Sequence, residues 1–363
     1  MKILHCIATL AGGGAERQLC YLTKGLIDAG HESHVVCRRL GANGSRLREA
    51  GAQIDLLSEI SAYSPATLCR LLRIIRRYRP DIVQTWLCQM DVWGGIAARM
   101  TNIPWVLSER SSKAMYPRTI KNFSRLVVAR GVTMIVANSR AGEEYWRQAL
   151  GAMSTRMRVI QNALPLAEIE EAVPWRPENI QAKDKIILCA GRLAAEKNLR
   201  LLLRAFPVVL ASMPARMLIC GEGPEYPELR QLAADLGILE RIHFLGYVGG
   251  LYGLMKAADV FVSVGQFEGQ PNAVMEAMAC RCPVVVSNIP EHREFLDDRS
   301  AFLTPIDSID AVATHILRCL RSPDTAREKA TIARGVAERW DIRTTVSGYV
   351  AAYRMISPHR DHH

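Results

Sequence analysis

No stretch of this 363-residue chain approaches the run of about 18 apolar residues that a membrane-spanning helix needs, so no transmembrane segment is expected. Its ten cysteines form no C-x-x-C pair, and no His/Cys cluster has zinc spacing. Cys280 and Cys282 lie close together, but that spacing alone makes no metal site. Scattered thiols of this kind read as small apolar residues, kept reduced in a cytoplasmic protein. D-x-D is missing throughout; Asp297 and Asp298 are adjacent, which is a different spacing. A diphosphate bridged by a metal is therefore not indicated, and no divalent metal or other cofactor is expected. Short-period repeats and low-complexity segments are missing too. With 49% hydrophobic and 23% charged residues, the composition is that of an ordinary globular protein.

What the chain does have is length enough for two domains and an uneven charge. Residues 1–160 carry 23 Lys and Arg against 11 Asp and Glu, whereas the remainder carries 23 against 25. The whole basic excess lies in the first half, which fits nucleic acid, an anionic membrane surface or a phosphorylated substrate. The opening residues 1–10 have the apolar character of a short signal peptide. His5 interrupts the run and a Gly-Gly-Gly loop follows at once, which favours a first buried strand. His359, His362 and His363 read as a solvated tail.

Strands alternate with helices along the chain. Residues 2–9, 32–37, 53–57, 81–85, 105–108 and 133–137 read as strands. The helices between them cover residues 15–29, 45–50, 65–78 and 90–100. After a crossover read at residues 158–162 and the Pro/Glu-rich stretch 165–177 the alternation restarts with strands at 185–191, 216–221, 241–245, 259–264 and 283–287. That pattern predicts an α/β protein of two Rossmann-like, doubly wound parallel sheets with a cleft between them.

The densest chemistry lies at residues 267–286. Glu268 and Glu276 flank a Gly269-Gln270-Pro271-Asn272 turn that leads into a strong helix-forming run. The turn places Glu268 on a loop after a strand. Pro271 suits a helix's first turn, and Glu276 falls on the second turn. Both carboxylates then face the carboxyl edge of the sheet, where open α/β proteins bind ligands. The helix start offers N–H groups to a phosphate. This string, with Glu276-Ala277-Met278-Ala279 and Pro283-Val284-Val285, resembles the E-x7-E signature of the retaining glycosyltransferases of family 4, which have the GT-B fold.

Other strings add to the resemblance. Gly191-Arg192-Leu193 with Lys197-Asn198 is similar to the family's G-R-L-x-x-x-K-N element, where Arg192 and Lys197 would neutralise a departing nucleoside diphosphate. Gly12-Gly13-Gly14-Ala15-Glu16 looks like its first-domain glycine loop, facing donor diphosphate and acceptor through Gly13 and Gly14. As a dinucleotide fingerprint the loop fails, since Arg17 stands where the third glycine belongs. Gly221 and Gly223 resemble the turn beside the nucleoside, and the string from His243 through Phe244 to Tyr247 the segment beside the base. Asn138-Ser139 matches the family's N-S pair, although Ser139 is equally a plain helix N-cap. Where many members have a His, this chain has Ser108-Glu109-Arg110. Glu109 and Arg110 are thus acceptor-side candidates for sugar hydroxyls and phosphate, or a local ion pair.

The resemblance implies transfer of a hexose or N-acetylhexosamine from a nucleotide-diphosphate sugar, UDP-sugar favoured, to a lipid-linked or saccharide acceptor with retention. O-antigen, capsule or exopolysaccharide assembly is the expected setting. It implies three parts: an acceptor domain, residues 1–164; a donor domain, 165–339; and a helix, 340–363, returning to the first domain. Glu276 would hold the ribose and Glu268 the donor sugar. The backbone of Gly269, Gln270, Pro271 and Asn272 would hold sugar and phosphate. Catalysis would rest on Glu268, Arg192 and Lys197 through a front-face mechanism. The final helix shows a one-sided apolar stripe of Val346, Tyr349, Val350, Tyr353 and Met355, with Trp340 at its bend; cleft closure about that bend and the crossover is expected. The basic segments 65–79 and 115–130, the latter with Arg118, Lys121, Arg125 and Arg130, suit an anionic bilayer. The expected location is the cytoplasm, at the inner face of the membrane, without nucleic acid. The competing readings are a nucleotide-sugar epimerase of the same architecture, an NADP oxidoreductase resting on Arg38 and Arg39, and a non-catalytic basic module.

Overall fold

The computed structural model describes residues 1–57, 64–111, 119–151 and 156–357, and the chain divides into two compact units. Unit 1 is Met1–Ala163 with Trp340–His363; unit 2 is Leu164–Arg339. In chain order, unit 1 begins with β1 (Lys2–Ile7), α1 (Gly14–Asp28), β2 (Glu32–Cys37), α2 (Ala42–Glu49), β3 (Gln53–Leu56), α3 (Pro65–Tyr78) and β4 (Ile82–Trp86). It continues with α4 (Leu87–Met100), β5 (Trp105–Glu109), α5 (Ile120–Ala129), β6 (Met134–Ala137), α6 (Arg140–Leu150) and β7 (Arg156–Val159). Unit 2 opens with α7 (Leu166–Glu171), β8 (Lys185–Ala190), α8 (Leu199–Leu210), β9 (Ala215–Cys220), α9 (Tyr226–Asp235), β10 (Ile242–Gly246) and α10 (Leu251–Ala257). There follow β11 (Val260–Ser263), α11 (Asn272–Ala279), β12 (Val284–Ser287), α12 (Pro290–Arg293), β13 (Phe302–Thr304), α13 (Ile309–Arg321) and α14 (Pro323–Ala337). The last helix, α15 (Ile342–Arg354), belongs to unit 1.

Unit 1 is a seven-stranded sheet in the order β3-β2-β1-β4-β5-β6-β7, parallel at every pairing. Every residue of β4 and β5 is buried, as central strands covered by helices on both faces must be. Helix starts follow local chemistry. Ser64 caps α3 ahead of Pro65, and the helix stops at Arg79, whose φ is 52°. Ser139 accepts the Gly142 N–H at 3.2 Å and caps α6; Asp341 caps α15.

Helix α15 lies on α1 so closely that a Cβ on Gly25 would sit 2.5 Å from Val346 Cγ2. Val346, Tyr349, Ala352 and Tyr353 are buried there with Leu22 and Leu26. The Tyr353 hydroxyl donates to Gln84 on β4, and Trp340 Nε1 donates to Gln161 at 2.9 Å. The expected stripe needs one correction: Met355 is 47% exposed, and Ala352 and Ile356 fill the buried face. Met115 and Arg118 of the basic segment, and His359, His362 and His363, lie outside the described residues.

Unit 2 is a six-stranded sheet in the order β10-β9-β8-β11-β12-β13, also parallel. Its core draws on α8 and α13, including Leu202, Phe206, Val312 and Ile316. Glycines at the carboxyl ends let the strand ends close up. Gly221 has φ +130°, and a Cβ there would lie 1.9 Å from the Gly191 carbonyl oxygen.

Candidate functional site

The carboxyl edge of the unit 2 sheet gathers most of the predicted residues. Beyond β11 the chain runs through Gly265 to Pro271 and enters α11 at Asn272, with Pro271 as the cap residue just ahead of the first turn. Glu268 is 8% exposed. Lys197 donates to both its oxygens, at 2.6 and 2.8 Å. Lys197 ends a single-turn helix after β8, and its neighbour Asn198 holds the left-handed φ of 53° that swings the chain into α8. Gln266 N–H reaches the Glu196 carbonyl at 2.9 Å, which ties the two loops together.

Arg192 lies just after β8. Its guanidinium donates to Glu196 at 2.6 Å, and its side chain is 62% exposed. Burial pulls the Glu196 carboxyl upward, but the Arg192 hydrogen bond, its own N–H and the charges of Arg192 and Lys197 win, leaving it below the usual range. Beside these groups is a pocket of about 300 Å³, open mouth included, lined by Gly191, Arg192, Leu193, Lys197, Cys220 and Ser263 among others. Gly223 lets the turn after β9 touch the chain at Leu193: a Cβ would sit 2.2 Å from that carbonyl oxygen. Phe244, half-buried in β10, meets Tyr226 edge-on with ring centres 5.3 Å apart. Glu276 lies on the second turn of α11, 1% exposed. Gln270 is buried at the loop's end, its carbonyl accepting the Asn272 N–H at 2.9 Å.

Unit 1 holds the others. Gly13 is the cap residue of α1 and Gly14 its first residue, and the Glu16 carboxyl folds back over Gly13. Burial raises the Glu16 pKa, against a hydrogen bond from its own backbone. The acceptor-side candidates have partners within unit 1. Glu109 is fully buried, bridged to Arg125 at 3.0 Å and accepting from Trp146 Nε1 at 2.8 Å. Its other oxygen accepts the backbone N–H groups of Arg110 and Ser111, each at 2.8 Å. Arg125 also meets Asp91 at 2.7 Å. Burial pushes Asp91 up to about 6, against the pull of Arg125 and Thr85. Arg110 stacks over Trp86 with 4.2 Å to the ring centre and donates to Asn162 and Tyr349. Both side chains take part in holding unit 1 together. Arg38 and Arg39 join β2 to the Gly loop through backbone bonds to Ala8 and Leu10.

Sequence reasoning passed over Glu291 and His292. They follow β12 at the same sheet edge, and the signal was their place directly after a strand. His292 is fully buried with Nδ1 2.7 Å from the Ser287 carbonyl oxygen. Burial lowers its pKa; the Ser287 bond and the Glu268 charge oppose this, and Lys197 adds to it. Among the described residues no group of His, Cys, Asp and Glu is arranged to hold a metal ion.

Two glycosyltransferase family models account for most of the chain. Residues 12–168 match Glycosyltransferase Family 4, and residues 184–322 match Glycosyl transferases group 1. The chain belongs to this family of glycosyltransferases, and its two parallel-sheet Rossmann-like units are those of the GT-B fold. It is 31% identical over 180 residues to the N-acetylgalactosamine-N,N'-diacetylbacillosaminyl-diphospho-undecaprenol 4-alpha-N-acetylgalactosaminyltransferase of Campylobacter jejuni. That alignment takes in 48% of this chain and 47% of the relative, so it spans about half of each. The UDP-Gal:alpha-D-GlcNAc-diphosphoundecaprenol alpha-1,3-galactosyltransferase of Escherichia coli is 24% identical over 75% of this chain and 78% of its own. Among solved structures, Anabaena HepE in complex with UDP and glucose superposes with a TM-score of 0.86, at 22% identity, over 98% of this chain and all of that one.

Proposed function

We propose that this chain is a retaining glycosyltransferase that moves a hexose or N-acetylhexosamine from a UDP-sugar to a hydroxyl of a lipid-diphosphate-linked saccharide in surface-polysaccharide assembly. The observation that carries the reading is the Lys197–Glu268 pair at the carboxyl edge of the unit 2 sheet, beside the start of α11 and the exposed Arg192. A leaving diphosphate draws on cations and helix N–H groups, and both are gathered there. Lys197 and Arg192 stabilise the charge that develops on the leaving oxygen. Glu268 orients Lys197 and contacts the donor sugar; Glu276 binds the ribose. Gly191, Gly221 and Gly223 keep the edge open to the nucleotide, which Phe244 flanks on the base side.

In the front-face step the anomeric C1–O bond to the diphosphate breaks as the acceptor oxygen attacks the same face. The acceptor's proton passes to a leaving phosphate oxygen, so no enzyme nucleophile is consumed. The names of the two bacterial relatives, with alpha products on diphospho-undecaprenol acceptors, support both retention and this acceptor class. Turnover is metal-independent on this reading, and full activity in EDTA is the expected result.

Unit 1 meets the membrane surface through α3 and α5. Helix α3 buries Thr67, Leu71 and Ile75 and exposes Arg73, Arg76, Arg77 and Arg79. Helix α5 turns Ile120, Phe123 and Val127 outward, at 85%, 68% and 43% exposure, next to Lys121. Cations beside an exposed apolar stripe suit an anionic bilayer. Mass spectrometry of products from pooled UDP-, GDP- and dTDP-sugars, with and without a lipid-diphosphate acceptor, tests the reading. Transfer needs acceptor; conversion of donor without it indicates an epimerase; no consumption of any sugar nucleotide refutes both. Sedimentation with vesicles containing phosphatidylglycerol tests the surface, with loss of binding expected when Phe123 becomes Asp.

A further inference from the structure

The loop that carries Glu268 is anchored by residues to which no role has yet been given. Ser287, the last residue of β12, is fully buried, and its hydroxyl donates to the Gly265 carbonyl at 2.6 Å. His292 Nδ1 lies 2.7 Å from the Ser287 carbonyl oxygen. A carbonyl only accepts, so Nδ1 carries the hydrogen and the ring is the neutral Nδ1–H tautomer. Among the described residues His292 Nε2 has no hydrogen-bond partner, so the ring works through Nδ1 alone. The next side chain along, Glu291, lies toward the Glu268 backbone N–H, which pulls its carboxyl down against the rise that burial imposes. His292 therefore fixes the loop's beginning through Ser287 and Gly265, and Glu291 stands against the residue that pairs with Lys197. Gly265 is held tightly between them: a Cβ there would sit 3.2 Å from Glu268 Oε1 and from the Glu196 carbonyl oxygen.

We infer that Glu291 and His292 are positioning residues for the transfer reaction, a two-point brace that sets where Glu268, and through it Lys197, stand toward the donor. This rests on the glycosyltransferase reading for its catalytic consequence, but the brace itself is a property of the free protein. A cation that must meet a leaving oxygen loses effect with small displacements. The brace thus acts on turnover more than on the affinity for nucleotide, because it sets the Glu268 end of the loop while Glu276 is fixed on the second turn of α11.

The variants separate this role from plain structural support. Asn places an amide nitrogen where His has Nδ1, and Gln places one nearer Nε2. His292→Asn therefore keeps the bond to Ser287, whereas His292→Gln and His292→Leu lose it. Likewise Glu291→Gln keeps an oxygen toward the Glu268 N–H and Glu291→Ala does not. In the full-length protein, hydrogen exchange of the peptide spanning residues 264–271, read by mass spectrometry, should speed up about tenfold in Glu291→Ala, Ser287→Ala and His292→Leu. It should stay at the wild-type rate in Glu291→Gln and His292→Asn. With the sugar nucleotide that the donor screen selects, the first three should lose about tenfold in kcat, with KM for donor and UDP affinity within about twofold. Unchanged exchange in Glu291→Ala and Ser287→Ala overturns the brace. Faster exchange with unchanged kcat overturns its link to the reaction, as does equal loss in His292→Asn and His292→Leu. A wild type that turns over no sugar nucleotide refutes the proposed function, and the exchange rates then still decide on the brace.

Discussion

Each unit places a glutamate at the carboxyl end of a central parallel strand and pairs it with a cation, yet the two pairs do different work. In unit 1 Glu109 ends β5 and meets Arg125, whose side chain is 1% exposed; a second carboxylate, Asp91, and the Trp146 indole close the group off. In unit 2 Glu268 follows β11 and meets Lys197, which is 27% exposed and lines a pocket. The same local motif is architecture when its cation is sealed, and on the proposed function it serves chemistry when its cation reaches solvent. A buried guanidinium with its fork filled has nothing left to offer a ligand. An ammonium held by one carboxylate at a pocket wall still has a donor and a net place for phosphate.

The comparison is broken or sharpened by measurement, and the largest effect expected is on unit 1. Removing residues 341–363 takes away Val346, Tyr349 and Tyr353, each nearly fully buried. At about 1.5–3 kcal/mol per side chain, the loss is on the order of 5 kcal/mol. Melting of unit 1 should fall sharply while UDP titration by calorimetry stays unchanged, because every donor-site candidate in unit 2 precedes Trp340. Unchanged melting would show that α15 contributes nothing.

Next come the two cations themselves. Arg125→Ala leaves Asp91 and Glu109 buried without their counter-charge and should destabilise unit 1 by about 3–5 kcal/mol in urea titration. Lys197→Ala should lower turnover roughly 100-fold or more, as loss of a transition-state charge stabiliser does, with little change in melting. If Lys197→Ala melts the protein and leaves turnover intact, the contrast between the pairs is wrong.

A smaller difference is expected inside the donor site. Glu276→Ala should mainly raise the donor KM, since a ribose contact is the same in ground and transition states. Glu268→Ala should mainly lower kcat. Equal effects on kcat with KM unmoved would contradict the division of roles.

The last effect lies in the acid range. Buried His5 on β1 has its pKa lowered from 6.5 to about 3 by burial. The unfolded chain takes up this proton below pH 6.5 and the folded one does not. The neutral ring's contribution is thus fully present above that pH and is lost as pH falls toward 3, with a slope of at most about 1.4 kcal/mol per pH unit. His5→Gln should flatten the wild-type slope of stability between pH 6.5 and pH 4. Parallel slopes for the two proteins would rule His5 out as a contributor.

How much of this was legible in the sequence follows from which interactions are local. The alternation of short apolar strands with amphipathic helices is written within windows of ten to fifteen residues, and it yielded both sheets but not β7, which lies where a crossover was read, nor β13. The caps at Ser64, Ser139 and Asp341 are decided by neighbours within one turn. The Gly-Gln-Pro-Asn turn put Glu268 and Glu276 at a sheet edge because turn and helix start are local chemistry as well. The partners of the charged groups were not legible. Ser108-Glu109-Arg110 offered no hint that Glu109 would meet Arg125 and Trp146, which other helices deliver. Arg192 gave none of its hold on Glu196, nor His292 of its hold on Ser287. The apolar stripe of α15 was visible, but that it lies on α1 at Gly25 was not, and Met355 was misplaced in it. Sequence by itself determined where backbone hydrogen bonds form and which faces are apolar, since those depend on residues a few positions apart. Which charges are sealed, which stand at a pocket, and which residues hold them there was decided only when distant strand ends came together, because burial and counter-charge are properties of the packed whole.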